Sequence, residues 1–114
     1  MIIKNIGSKF FKEVKYFKLN TFIDNRGSFK EIFNQEIEEF IGVENHFIQD
    51  NESYSKYGVL RGLHYQKNPR EQSKLVRVSS GKIQDVIVDI RKDSDTYTKW
   101  ESFELSSQDN NMLF

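Results

Sequence analysis

Imidazole is the side chain whose charge changes near neutral pH, so acid–base chemistry is sought first at histidine. This chain has two, His46 and His64, and no cysteine. Composition therefore excludes disulfides, zinc–thiolate centres and thiol nucleophiles. His64 stands in the run Gly58-Val59-Leu60-Arg61-Gly62-Leu63-His64-Tyr65-Gln66, close to a guanidinium. Strict strand alternation would send Arg61 and His64 to opposite faces. Gly62 lies between them and can host a bulge or twist that turns both to one face, and that bulge is predicted. A lone histidine is most often a hydrogen-bonded core or surface residue. That reading weakens where an arginine, a lysine and an aspartate converge on the same concave surface.

The lysine and the aspartate come from the next segment. Ser79-Ser80-Gly81-Lys82 predicts a turn that pairs Val78 with Ile83 and Val76 with Asp85. One face of that hairpin then carries Lys74, Val76, Val78, Ile83, Asp85, Ile87 and Asp89. The other carries Leu75, Arg77, Val86, Val88 and Ile90. Both faces hold apolar residues, as in a sandwich whose sheet meets the core on one side and a neighbouring sheet or subunit on the other. Lys74 and Asp85 would be diagonal neighbours. They form either a salt bridge at a wet rim or a charged cluster lining a cavity, where such groups are expensive and usually functional.

These residues need a scaffold, and the chain reads as one β domain spanning residues 1–114. Thr21-Phe22-Ile23-Asp24 leads into the turn Asp24-Asn25-Arg26-Gly27, and Phe29 to Phe33 continues beyond it. Strands are expected at His46 to Asp50, Gly58 to Gln66, Ser73 to Ser79, Ile83 to Arg91 and Lys99 to Leu105. One helix is expected, with Asn34 as its cap, Ile37, Phe40 and Ile41 as its apolar stripe and Gly42 at its end. Pro69 falls in a polar loop, where it costs no ladder hydrogen bond.

Composition narrows the partners. Lys and Arg number 17 and so do Asp and Glu, so the net charge is zero. The broad positive field that nonspecific nucleic-acid binding needs is absent. No apolar run approaches the roughly 18 residues of a membrane span. The start, Met1-Ile2-Ile3-Lys4-Asn5, has no leader pattern, so a cytoplasmic protein is expected. Without secretion, the sequon Asn51-Glu52-Ser53 is a chance match.

Five strings occur in order: Asp24-Asn25-Arg26-Gly27, Gln49-Asp50-Asn51-x-Ser53, Gly58 to Gln66, Lys74-Leu75-Val76-Arg77-Val78 and Asp85-Val86-Ile87-Val88-Asp89-Ile90-Arg91. Trp100 and Leu105-Ser106 follow. Together they resemble the dTDP-4-dehydrorhamnose 3,5-epimerase family from about Phe22 onward. The resemblance implies an all-β, cupin-like jelly roll with one short helix, paired as a homodimer by exchange of N-terminal strands. It implies a metal-independent isomerase acting on a dTDP-deoxysugar, with no cofactor. The residues agree about the metal: His64 is followed by Tyr65 and Gln66, so the His-x-His pair of a cupin metal site is missing.

The resemblance also implies roles. Epimerisation at C3 and C5 begins with protons beside a C4 ketone. His64 matches the family's base, and a neutral imidazole suits that task. Lys74 matches the cation facing the ketone oxygen, where negative charge develops. Asp85 matches an acid of the same pocket that keeps Lys74 charged and oriented. Arg61 matches a residue near the sugar or the pyrophosphate. Phe22, Arg26, Phe29 and Glu31 match positions that reach into the neighbouring subunit's site. Gln49 and Asn51 match neutral amides that contact the ligand. The family's chain continues past a position like Phe114. Its second histidine motif, its acid tyrosine and the aspartate paired with the base have no counterpart here, and the jelly roll is expected to be incomplete at its C-terminal end. Two other readings stand beside the enzyme: a noncatalytic dTDP-sugar-binding homologue, and a structural β domain used in assembly.

Overall fold

Alternating burial shows how the first strands seat themselves. In Tyr16-Phe17-Lys18-Leu19, Phe17 and Leu19 are buried while Tyr16 and Lys18 are only half-covered, the period-2 signature of a strand with one face on a core. The computed structural model describes residues 2–42 and 46–114. Its elements are β1 (Ile3–Asn5), β2 (Tyr16–Leu19), β3 (Phe22–Asp24), β4 (Gly27–Phe29), α1 (Gln35–Ile41), β5 (Val76–Arg77), β6 (Lys82–Val88), β7 (Trp100–Ser106) and β8 (Asn111–Leu113). They form a four-stranded sheet ordered β1-β2-β8-β5 and two two-stranded sheets, β3-β4 and β6-β7. Every pairing is antiparallel.

The four-stranded sheet is covered on both faces. On one side Ile3, Phe17, Leu19 and Met112 pack with Ile37 and Ile41 of α1. On the other, Leu113 packs with Phe103 and Leu105 of β7, and Tyr16, Val76, Val78 and Ile87 close around them. The layers are therefore helix, sheet and two-stranded sheet, with a core in each gap. Met112 and Leu113 are the buried centre of this arrangement, because β8 runs between β2 and β5.

Helix α1 forms as its sequence dictates. The Asn34 side chain accepts from the Ile37 backbone N–H at 3.0 Å, which satisfies a first-turn donor. Gly42 ends the helix in the left-handed region at φ 72° and returns its N–H to the Glu38 and Glu39 carbonyls. Between β7 and β8 sits a buried amide. Asn111 Nδ2 donates to the Glu104 carbonyl at 2.7 Å and to the Tyr16 hydroxyl at 2.8 Å, and its Oδ1 accepts from Ser106 N at 3.0 Å.

The structure corrects several expected strands. The turn at Ser79–Gly81 forms, but its arms do not pair with each other. β5 pairs with β8, Val76 opposite Leu113, while β6 pairs with β7, Asp85 opposite Phe103. The turn carries the chain from one sheet to the other. The predicted faces survive this change: Val76, Val78 and Ile87 meet in one core and Leu75 lies on the helix side. The strand expected over Ser73 to Ser79 is confined to Val76–Arg77, and the one beyond Phe29 does not continue to Phe33. His46 to Asp50 and Gly58 to Gln66 are not strands. Residues 48–74 form an exposed arm that joins none of the described sheets, with local turns at Val59 N to Lys56 O, 3.3 Å, and Arg70 N to Lys67 O, 2.7 Å. The predicted bulge at Gly62 therefore has no ladder to interrupt, although Gly62 does take a positive φ of 105°.

Candidate functional site

Asp85 is the ionisable candidate that the fold draws inward. It lies on the face of β6 that carries Ile87, opposite Phe103. Burial there pushes its carboxyl pKa up, and the positive charge of Lys74 pulls it back down through space. Lys74 is exposed and shares the strand parity of Val76, which enters the same core. The two residues thus meet electrostatically although the ladder expected to join them does not form. Asp85 is half-buried and Lys74 exposed, and the described residues form no ion pair between them.

His64, Arg61, Gln49 and Asn51 all lie on the exposed arm. Arg61 Nε donates to Ser55 Oγ at 3.0 Å and its Nη2 to the Tyr54 carbonyl at 3.4 Å. Gln49 Nε2 donates to Asn51 Oδ1 at 3.2 Å. Ser79 Oγ donates to Glu52 Oε1 at 2.9 Å, tying the arm to the β5–β6 turn. His64 makes no hydrogen bond or ion pair among the described residues. Gly62 approaches the ring closely.

The β3-β4 hairpin holds a second group. Phe22 sits directly opposite Phe29, and both are exposed. Arg26 lies in the connecting turn. An open hollow of about 510 Å³ is lined by Phe22, Asp24, Arg26 and Phe29, with Ile23 and the turn backbone. Asp24 Oδ1 accepts from Arg26 N at 2.8 Å, and its Oδ2 accepts from the guanidinium at 2.6 Å. The Arg26 bonds hold Asp24 below the usual carboxylate range, and the pairing raises Arg26 in return. An anion at this turn must share Arg26 with Asp24. Glu31 follows the hairpin and accepts from Asn34 Nδ2 at 2.6 Å, so the helix cap also orients a candidate ligand residue.

Three groups thus emerge: Lys74 with Asp85, the arm with His64 and Arg61, and the hairpin with its aromatic pair. Among the described residues no cluster of three or more His, Asp or Glu is placed to hold a metal ion, and no helix is long and apolar enough to cross a membrane. Sequence reasoning did not single out Glu101. Its carboxylate accepts from Lys9 N at 2.8 Å and Ser8 Oγ at 2.5 Å, clamping the N-terminal loop over β7. Alternation also puts Asp89 on the face of Lys74 and Asp85. The structure instead commits Asp89 to its own loop, bonded to Arg91, Ser94 and Thr96.

The layered sheets, the inward acid and the projecting hairpin define a cupin-like jelly-roll protein. Comparison with known proteins supplies the family. A profile described as dTDP-4-dehydrorhamnose 3,5-epimerase matches residues 9–114. The chain is 48% identical over 103 residues to the dTDP-4-dehydrorhamnose 3,5-epimerase of Shigella flexneri, covering 90% of this chain and 57% of that one. Against the Methanothermobacter thermautotrophicus enzyme it is 50% identical over 93 residues, covering 82% and 50%. A Bacillus anthracis dTDP-4-dehydrorhamnose 3,5-epimerase, solved with TDP and pyrophosphate bound, superposes with a TM-score of 0.89 at 45% identity, over 97% of this chain and 63% of that one. A Legionella pneumophila epimerase in complex with dTDP-4-keto-L-rhamnose gives 0.90 at 39%, over 97% and 58%. The chain belongs to the dTDP-4-dehydrorhamnose 3,5-epimerase family. It spans a little over half the length of the curated relatives it matches.

Proposed function

We propose that this chain carries the proton-abstracting part of a dTDP-4-keto-6-deoxyglucose 3,5-epimerase, leading towards dTDP-4-keto-rhamnose. The observation that carries this reading is the half-buried Asp85 under the charge of Lys74, in a member of this family. A carbon next to a ketone loses its proton when the electron pair can move onto the ketone oxygen. His64, whose ring makes no hydrogen bond among the described residues, takes that proton. Lys74 faces the oxygen where the enolate charge develops. Asp85 supplies a negative charge on the same side of the fold as Lys74. Return of a solvent-derived proton by the same imidazole gives exchange with retention, and inversion requires a separate proton donor on the opposite face. Arg61 binds the sugar or the pyrophosphate, and Arg26 takes a phosphate oxygen at the hairpin turn. Phe22 and Phe29 pack against the base or sugar, with Glu31, Gln49 and Asn51 completing the ligand contacts.

The same proposal makes the chain a cytoplasmic homodimer in which the β3-β4 hairpin enters the partner's site. The solvent-facing pair Phe22 and Phe29 supports this, because large apolar side chains this exposed mark an interaction surface.

The test is deuterium wash-in from D2O at C3 and C5 of dTDP-4-keto-6-deoxyglucose. Wild-type protein should label the sugar and His64→Ala should not. A folded wild-type chain that leaves both positions unlabelled ends the catalytic reading. Calorimetry with dTDP then decides whether binding without turnover remains.

A further inference from the structure

We propose that Gly62 is a positioning residue for the His64 imidazole: the bare α-carbon leaves the space against which the ring rests. This deepens the reading of His64 as the base and depends on it for its catalytic consequence. A Cβ built on Gly62 lies 3.1 Å from His64 Nδ1, 3.4 Å from the His64 backbone nitrogen and 3.7 Å from His64 Cε1. Its three nearest neighbours thus all belong to His64. Carbon and its packing partners ordinarily rest about 3.5–4.0 Å apart, so a methyl here displaces the ring or the backbone that carries it.

The other glycines separate this contact from backbone strain. All six glycines of the chain have positive φ. At Gly7, Gly27, Gly42, Gly58 and Gly81 an added Cβ meets nothing within 4 Å. Those five are explained by left-handed backbone alone. Gly62, at φ 105°, needs both the backbone freedom and the empty space. Its functional weight follows from the sensitivity of proton transfer to geometry, since the base must sit within hydrogen-bond reach of the proton it takes. Gly58 is the natural control, because it lies on the same arm at φ 80° and faces open space.

The experiment uses the 114-residue chain labelled with nitrogen-15. Gly62→Ala should move the His64 ring-nitrogen signals and leave those of His46 in place, whereas Gly58→Ala should move neither. Unmoved His64 signals in folded Gly62→Ala overturn the proposal, and so does an equal shift in Gly58→Ala. Should Gly62→Ala not fold, the unmodified chain still decides: a nuclear Overhauser contact between the Gly62 α-protons and the His64 Hε1 is expected, and its absence refutes the contact. In the wash-in assay Gly62→Ala should lower kcat roughly tenfold or more while KM changes little. Wild-type protein that exchanges nothing defeats the base reading and leaves the ring-signal result to judge the positioning claim.

Discussion

Asp89 accepts from the Arg91 backbone N–H at 2.9 Å, from the Arg91 guanidinium at 2.9 and 3.0 Å, and from the Ser94 and Thr96 hydroxyls at 2.6 and 2.7 Å. The Arg91 bonds first, then the hydroxyls, hold its carboxyl far below the usual range. A depressed carboxylate contributes stability that is fully present above its unfolded pKa and is lost as pH falls towards the folded value. Asp89→Asn should therefore lower stability in urea unfolding at neutral pH by about 1 kcal/mol, and the deficit against wild type should shrink below about pH 4. An equal deficit at both pH values would contradict this account. Asp85 has the opposite sign. Burial raises its pKa, so its charged form opposes folding above the ordinary carboxylate range. Asp85→Asn should leave Tm at neutral pH unchanged or higher while abolishing wash-in. A fall in Tm would recast Asp85 as a structural ion-pair partner of Lys74.

At the scale of elements, α1 links stability to the ligand contacts. Asn34 caps the helix through Oδ1 and holds Glu31 through Nδ2. Asn34→Ala should cost about 1 kcal/mol and weaken dTDP affinity through the freed Glu31. Asn34→Asp should keep the cap but repel Glu31, so it separates the two effects: stability near wild type with weakened binding. Unchanged dTDP affinity in both variants would remove Glu31 from the site. The β5–β6 turn shows a different coupling. It moves the chain between sheets, so Lys74 precedes a strand of one layer while Asp85 sits in the other. The charge of Lys74 still lowers the Asp85 pKa through space, against the larger effect of burial.

The whole molecule exposes 9572 Å², against about 6,600 Å² expected of a folded monomer of this mass. The arm over residues 48–74 and the β3-β4 hairpin supply much of the excess: Ile23, Ile48, Tyr54, Tyr57, Leu60 and Leu63 are all more than three-quarters exposed. Pairing through the hairpin would bury part of that excess of about 3,000 Å² per chain. Ile23→Lys on the hairpin should shift the sedimentation coefficient from dimer to monomer without changing far-UV circular dichroism. A wild-type chain that already sediments as a monomer would refute the pairing.

Local chemistry made much of this molecule readable in advance. The helix was legible because Asn34, the Ile37-Phe40-Ile41 stripe and Gly42 act within a few residues of each other. The β3-β4 turn was legible from Asp24-Asn25-Arg26-Gly27, and the inward parity of Val76, Asp85 and Ile87 from side-chain alternation, a property of the strand itself. Partner choice was not legible. Val76 could face Asp85 across a tight turn or Leu113 across the sheet, and only the competition for apolar surface among distant segments settles which. The same holds for the arm, whose β-like pattern finds no ladder among the described residues, and for Asp89, whose parity puts it on the face of Lys74 and Asp85 while its bonds serve its own loop. Residue types and alternation are written along the chain, whereas pairing and burial depend on what else occupies the neighbouring space.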